Sequence, residues 1–262
     1  MPHPAPRPPR PLLLSAVLLL AAGCAAPAGG SADRAPSGAP PRELSAAELR
    51  AAAVTDADLG PGFTVTVIVP GHGESGPSGG REAADKPACQ PLLDAVAPAS
   101  AAGRSGVSAS AGPVPAVPYA ETGLSVAPAA DPAGSLYGGL LGYRGDRAAR
   151  LLTELEGLFG PCAEFTSTAP PPPAEKGRGA TRTTHRLSRD DTPTPGGADA
   201  ATGFTLTNES GSVVLAQRAV LTRVGPALVV FSTVGVGAEP APAPDERVVR
   251  RQVAKLSAAQ RG

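Results

Sequence analysis

Three glycines give the chain the spacing of a phosphate-binding loop. Gly71, Gly73 and Gly76 spell G-x-G-x-x-G directly after the extended run FTVTVIV at residues 63–69. This motif binds the pyrophosphate of a dinucleotide when its third glycine opens a helix. Here the third glycine runs into PSGG, which predicts no helix. We interpret residues 70–85 as a polar, glycine-rich loop and expect no nucleotide and no other cofactor.

The same loop contains a serine in the pattern of a hydrolase nucleophile. Residues 76–80 read GPSGG, which matches G-x-S-x-G around Ser78. A nucleophile elbow requires a strand that runs straight into a helix, whereas Pro70 and a polar stretch separate Ser78 from the preceding strand. No histidine is placed to support it. We expect no enzyme activity and no catalytic residue, and a wall-associated serine hydrolase remains an alternative.

The histidines do not predict a metal site. His72 and His185 lack Asp, Glu or Cys neighbours at the short fixed spacings that metal ligands show. His185 lies in TRTTHRL, where it shares a strand face with Thr183 and Leu187. We interpret His185 as a partly buried structural residue and His72 as a solvated loop residue.

Charge gives no sign of a nucleic-acid partner. The chain has 23 basic and 23 acidic residues, so its formal net charge is zero and it has no field that would attract a polyanion. Glu154 and Glu156 lie on the polar side of an amphipathic segment and are interpreted as solvated. A basic face on the final helix is interpreted in the same way, with weak attraction to anionic headgroups as the alternative; its members are Arg247, Arg250, Arg251 and Lys255.

The N-terminal residues have the order of a bacterial export signal. Arg7 and Arg10 precede the apolar run LLLSAVLLLAA at residues 12–22, whose length of about 11 residues is typical of a signal peptide and too short for a spanning helix. The run ends in LAAGC, which resembles the lipobox of bacterial lipoproteins. This resemblance implies cleavage between Gly23 and Cys24 and acylation of the Cys24 thiol.

These features predict a lipid-anchored protein. Residues 1–23 form the predicted lipoprotein signal peptide, and residues 24–41 form a flexible tether rich in Ala, Gly, Pro and Ser. Acyl chains such as palmitate on Cys24 would hold the mature chain on the outer face of the cytoplasmic membrane. An ordinary secretory signal with an incidental cysteine is the alternative.

Two further cysteines remain, Cys89 and Cys162. Because an exported chain reaches an oxidising compartment, an isolated pair of cysteines favours a disulfide. Two separate buried thiols are the alternative.

The order of elements predicts an α+β fold. The sequence ELSAAELRAAAV predicts a first helix with a capping box of Ser45 and Glu48. Strands are predicted near residues 62–69, 117–127, 135–144 and 162–168, and then at residues 180–188, 202–208, 212–223 and 227–234. We expect one domain over residues 42–262, with a mainly antiparallel sheet, helices packed on one face, several disordered Gly/Pro/Ala-rich loops and a Pro-rich spacer at 169–180.

Four segments together resemble the extracellular sensor domains of the actinobacterial PknH-like family. They are ELSAAELRAAAVTDADLGPGF, CQPLLDAV, LLTELEGLFGPCAEFT and RAVLTRVGPALVVFSTVG, and they span most of residues 42–258. The resemblance implies an α+β domain with a ligand-binding groove across one sheet face. Of the family's cysteines it transfers only Cys89 and Cys162, which suffice for one disulfide where members often have two.

The sequence therefore predicts a non-enzymatic, ligand-binding or sensor-like lipoprotein domain. Its expected partners are the membrane, through Cys24, and an unidentified ligand or cell-envelope component, with no nucleic acid and no metal. A carrier of lipids or apolar metabolites is a second alternative, since it would need the same anchor.

Overall fold

The computed structural model describes residues 40–68, 82–96, 118–130, 134–171, 179–237 and 240–262. The helices are α1 (Ala46–Ala51), α2 (Asp56–Leu59), α3 (Gln90–Val96), α4 (Arg147–Gly157) and α5 (Glu246–Arg261), with a 3₁₀ turn at Pro87–Cys89 before α3. The strands are β1 (Phe63–Ile68), β2 (Ala83–Ala84), β3 (Ala120–Pro128), β4 (Leu136–Gly142), β5 (Glu164–Ala169), β6 (Thr181–Asp190), β7 (Ala200–Ser210), β8 (Val213–Val224) and β9 (Ala227–Val236).

The strands form one nine-stranded sheet in the order β1-β3-β4-β9-β8-β7-β6-β5-β2. Each neighbouring pair is antiparallel, which confirms the predicted α+β class with a mainly antiparallel sheet. The four late strands predicted from alternating polar and apolar residues correspond to β6 through β9. Gly225 and Pro226 form the turn between the last two strands, as expected.

The helices pack on both faces of the sheet, so the expectation that they share one face is wrong. The central strand β9 shows this directly, because Val229 and Phe231 belong to one hydrophobic cluster while Val230 belongs to another. Successive side chains of a strand point to opposite faces. Both faces of β9 are therefore covered, and we call the side of Phe231 face A and the side of Val230 face B.

Face A is covered by helices from the two ends of the chain. Leu49 of α1 and Leu59 of α2 share a core with four buried residues of α5, which are Val248, Val249, Val253 and Leu256. Beneath them lie β3 and β4, represented by Leu124 and Leu140. The predicted capping box is present at the start of α1, where Ser45 and Glu48 exchange hydrogen bonds.

Face B is covered by α3 and α4. Leu92 of α3 and Leu155 of α4 pack against Phe165, Phe204 and other residues of the central strands. The predicted disulfide is present here: Cys89 is bonded to Cys162, with Cα atoms 5.7 Å apart. It joins the 3₁₀ turn before α3 to the residues that lead into β5.

The Pro-rich spacer connects two neighbouring strands of this sheet. Ala169 at the end of β5 pairs with Thr181 at the start of β6, and residues 172–178 of the spacer lie outside the described residues. The predicted signal peptide, the tether as far as residue 39, and most of the glycine-rich loop also lie outside them. In the part of the chain that is described, none of the helices has the length and apolar character needed to cross a membrane.

Candidate functional site

A buried histidine connects three strands on face B. Strand β6 places His185 opposite Phe165 of β5 on one side and Asn208 of β7 on the other. The imidazole stacks on the Phe165 ring, with ring centroids 4.7 Å apart. Only 1% of His185 is exposed, so its ring nitrogens depend on protein groups for hydrogen bonds.

His185 belongs to a chain of hydrogen-bonded polar side chains that come from β5, β6, β7 and β8 and from the residue before β2. Ser167 Oγ lies 2.6 Å from His185 Nε2 and donates a hydrogen bond to Glu82 Oε1. On the opposite side of the ring, Nδ1 lies 2.6 Å from Asn208 Oδ1, and Asn208 Nδ2 donates to Gln217 Oε1 at 2.8 Å. Glu82, Ser167, His185, Asn208 and Gln217 form a continuous chain, which we call the His185 network.

The hydrogen-bond geometry restricts where protons lie in the His185 network. An amide oxygen of Asn208 facing Nδ1 requires a proton on Nδ1. Ser167 donates its one hydroxyl proton to Glu82, so its oxygen accepts from Nε2–H beside an anionic Glu82. This arrangement satisfies the polar atoms that meet here, and it places the Glu82 carboxylate beside a ring that carries a proton on each nitrogen.

Glu82 is the end of the network that reaches solvent, with a side chain 38% exposed. Its Oε1 lies 3.5 Å from His185 Nε2. The hydrogen bond with His185 and, to a lesser extent, that with Ser167 lower the pKa of Glu82 from its ordinary value of 4.5, while burial opposes this effect. The carboxylate form of Glu82 is therefore the form that the fold favours.

Ser167, His185 and Asn208 follow one another as a nucleophile, a base and an orienting amide do in some hydrolases. Ser167, however, is not accessible to a substrate. Ser167 is 1% exposed and lies within β5, and not on a strand-to-helix turn. A nucleophile must reach the substrate atom that it attacks. The geometry is that of a buried polar connection between strands.

A second polar feature lies where β6 ends and β7 begins. A cleft of about 370 Å³ is lined by Arg189, Asp190, Asp191, Thr192, Ala201 and Thr202. The Arg189 guanidinium lies over the Phe159 ring, 5.7 Å from its centroid, and forms no ion pair within the described residues. The hydroxyl of Thr202 is buried and has no hydrogen-bond partner in that part of the chain. The cleft thus combines a positioned cation with an unsatisfied hydroxyl.

The other predicted site residues are not brought to either place. Cys89 and Cys162 form the disulfide, and Gly23, Cys24, His72 and Ser78 lie outside the described residues. Within the described ranges, no group of three His, Cys, Asp or Glu side chains is arranged to hold a metal ion.

The charged residues of α4 and α5 form contacts with other residues of the same chain. Glu154 accepts a hydrogen bond from Arg147 at 2.8 Å. On α5, Arg251 and Lys255 both pair with Asp58, at 3.4 and 2.6 Å. Two other cations of this helix also have partners: Arg250 pairs with Glu246, and Arg247 lies over the Phe63 ring.

The sequence analysis did not predict that Glu82, Ser167, Asn208 and Gln217 form a network with His185. These residues lie on separate strands, and only the register of the sheet brings them together. The one local sign is that the predicted strands here, EFTST, TRTTHRL and FTLTNES, carry polar residues on both faces.

Comparison with known proteins identifies no family. No family model matches the chain, and no curated protein matches it. Among solved structures, the chain is similar to an uncharacterised protein from Mycobacterium smegmatis, described as the Rv0999 ortholog. The two are 9% identical, the match covers 84% of this chain and 98% of that one, and the TM-score is 0.32. A likeness this low carries no inference about function.

Proposed function

We propose that the protein is a membrane-anchored extracytoplasmic lipoprotein whose domain binds a ligand without catalysing a reaction, in the manner of the PknH-like sensor domains that its sequence resembles. The observation that carries the anchoring is the order of basic residues, apolar run and LAAGC in residues 1–24. The Cys89–Cys162 disulfide supports it, because structural disulfides persist in oxidising compartments outside the cytoplasm.

Metabolic labelling tests the anchor. Cells that express the full chain are fed an alkyne analogue of palmitate, and the protein is examined for label and for its distribution between membrane and soluble fractions. We expect label on the wild-type protein in the membrane fraction and none on C24A. The control is S31A, a substitution in the predicted tether that keeps all three cysteines and should keep the label. Equal labelling of wild type and C24A would refute anchoring through Cys24.

The absence of catalysis is proposed from the burial of the one described serine that contacts a histidine. Ser167 lies beneath the contact between Glu82 and His185 and is 1% exposed. A fluorophosphonate probe, which reacts with activated serines, should therefore leave the folded protein unlabelled. Labelling that is lost in S167A or in S78A would replace this proposal with a serine hydrolase.

We place ligand binding in the cleft at the end of β6. Its volume of about 370 Å³ falls in the range of small-molecule sites. Arg189 offers a guanidinium that is already oriented by Phe159, and Asp191 contributes the opposite charge to the same lining. A small zwitterion, with a carboxylate for Arg189 and an ammonium for Asp191, complements this lining best.

Titration followed by NMR tests the cleft. L-alanine and L-glutamate are added to the ¹⁵N-labelled protein, and amide shifts are recorded. Saturable shifts are expected at residues 189–192 and 201–202, and R189Q should abolish them. The matched control R186Q removes an exposed arginine of the same strand that pairs with Glu209 on face A, and it should bind normally. Shifts that are absent, or unchanged in R189Q, would contradict the assignment.

A lipid carrier makes a different prediction. Such a protein needs an enclosed apolar cavity, whereas the described cleft is lined by charged residues and threonines. Native mass spectrometry of the gently purified protein should show the mass of the acylated chain alone. A reproducible additional lipid mass would favour the carrier.

A further inference from the structure

The outer edge of β5 is covered by a short segment that is fastened to it at successive points. Ala83 and Ala84 pair with β5. Asp85 N–H then donates to the Thr166 carbonyl at 2.8 Å, and its carboxylate accepts from Thr166 N–H at 2.9 Å. Lys86 Nζ donates to the Glu164 carbonyl at 2.8 Å. We call residues 82–86 the edge segment.

The two ends of this stretch are held in different ways. At one end Glu82 reaches the His185 network through Ser167. Beyond the other end, the Cys89–Cys162 disulfide fixes the 3₁₀ turn covalently. Any release of the chain from the β5 edge that starts at Glu82 is therefore stopped by Cys89.

Charge makes the Glu82 end sensitive to protons. With Glu82 anionic, a proton on the buried His185 is balanced across 3.5 Å. With Glu82 neutral and His185 protonated, the network would contain a buried cation with no adjacent anion, which is strongly unfavourable in proteins. A proton added to Glu82 therefore removes the negative charge that balances a protonated His185.

We propose that Glu82, Ser167 and His185 form a proton-linked latch that holds the edge segment on β5 and releases it when Glu82 is protonated. The latch is closed at neutral pH. Opening moves residues 82–86 away from Thr166 and Ser167, while the disulfide keeps α3 in place.

The other charged groups around the latch do not replace Glu82. On β5, β6 and β7 the nearest are Glu164, Arg182, Arg186 and Glu209, which alternate with Phe165, His185 and Asn208 and point to face A. On α3, Asp94 accepts a hydrogen bond from Gln90. In the edge segment, Asp85 and Lys86 bond to the backbone of β5. Among these described groups, Glu82 alone forms an ion pair with His185.

The lowered pKa of Glu82 gives the direction of the pH effect. A carboxyl group with a folded-state pKa below its unfolded value stabilises the structure above the unfolded value and loses this effect as the pH falls through the folded one. The contribution of Glu82 to the latch is therefore complete above pH 4.5, the ordinary pKa of a glutamate, and is lost as the pH falls through the lower pKa of the folded state. The pKa of Asp85 is also lowered, mainly by its hydrogen bonds from Thr166. Protonation of Asp85 would therefore also favour opening, but without involving His185.

Hydrogen exchange of single amides in the full chain, measured at pH 7 by NMR, tests the latch. E82Q imitates the protonated carboxyl group without acidifying other residues. We expect the Asp85 and Thr166 amides to exchange at least tenfold faster in E82Q than in wild type, while the Phe204 amide in the core keeps its rate. The matched control E164Q neutralises an exposed carboxylate on β5 and should change neither.

A double-mutant cycle separates proton linkage from a simple structural contact. If Glu82 acts through His185, the E82Q substitution should have little further effect in an H185Q protein. Wild-type protection of Asp85 in E82Q would overturn the proposal. So would additive effects of E82Q and H185Q, or loss of protection throughout the sheet in E82Q, since each shows that no local, histidine-coupled latch exists.

Discussion

Gln252 of α5 donates a hydrogen bond from Nε2 to the carbonyl of Ala52 at 2.8 Å, across 200 residues of sequence. Its Oε1 accepts from the N–H of Val54 at 2.9 Å. Gln252 is fully buried, so this one side chain satisfies two backbone groups at the end of α1. The amide thereby fixes the N-terminal helices against the C-terminal helix.

Replacing Gln252 by Met should destabilise the protein markedly. The substitution keeps most of the volume but leaves a buried N–H and a buried C=O without partners, at about 1–3 kcal/mol each. We expect the free energy of unfolding, measured by urea denaturation, to fall by about 2–6 kcal/mol. R250M changes an exposed residue of the same helix and should stay within about 0.5 kcal/mol of wild type. An equal effect of the two substitutions would contradict this role for Gln252.

Two adjacent glycines of β4 should respond differently to a methyl group. A Cβ at Gly138 would lie 2.6 Å from the Phe231 ring, whereas the nearest atom to a Cβ at Gly139 is 3.9 Å away. We expect G138A to lower the unfolding free energy by about 1–3 kcal/mol through overpacking. G139A provides the internal control and should be tolerated. Thermal denaturation of both variants tests this, and the midpoint of G138A should be lower than that of G139A. Equal midpoints would show that the Phe231 ring moves aside at little cost.

Loss of the disulfide should weaken the whole domain. The bond closes a loop with a sequence separation of 73 residues, for which the chain-entropy relation gives about 4 kcal/mol. The C89S/C162S double variant should unfold at correspondingly lower urea concentration. Reduction of the wild-type protein should give the same shift, and it should leave the double variant unchanged. A midpoint unaffected by reduction would show that the bond adds little to stability.

Asp58 should contribute to stability only above acidic pH. Its hydrogen bond from Lys255 is the largest factor that lowers its pKa, from an ordinary 3.8 to about 2. Because the folded value is the lower one, the stabilisation is complete above pH 4 and is lost as the pH falls toward 2. After allowance for screening by solvent, the shift corresponds to about 1 kcal/mol of stabilisation. Urea denaturation should show that D58N lowers stability at pH 6 by this order and has little effect near pH 2. A constant difference between the two pH values would rule out this linkage.

Much of the sheet could be predicted because its strands alternate. In β7 and β8 apolar residues face the cores and polar residues separate them, and the predicted ranges agree with the structure to within a few residues. The prediction that the helices share one face of the sheet was wrong, and β9 carries the sign of it, because ALVVFSTVGV shows no alternation of apolar and polar residues. A continuous apolar run is typical of a strand covered on both faces, and this sign contradicted the prediction of helices on one face.

The His185 network could not be predicted in the same way. Glu82 and Ser167 are 85 positions apart in sequence, and Asn208 lies 23 positions from His185. Local patterns identify strands but do not give the order in which distant strands pair. The network depends on that order, because β5 must lie beside both β2 and β6 before Ser167 can meet Glu82 and His185.

The position of β9 in the sheet has a consequence for how the chain folds. Strands β1, β3 and β4 form one antiparallel group, the strands from β8 to β2 form another, and β9 lies between the two. Since β9 comes last in sequence among the described strands, neither group can join the other until the eight other strands have been synthesised. A chain still emerging from a ribosome or a translocation channel would hold two unfinished half-sheets with open edges. Completion of the sheet thus waits for β9, and truncation before Ala227 should leave two unjoined groups of strands that are prone to aggregate.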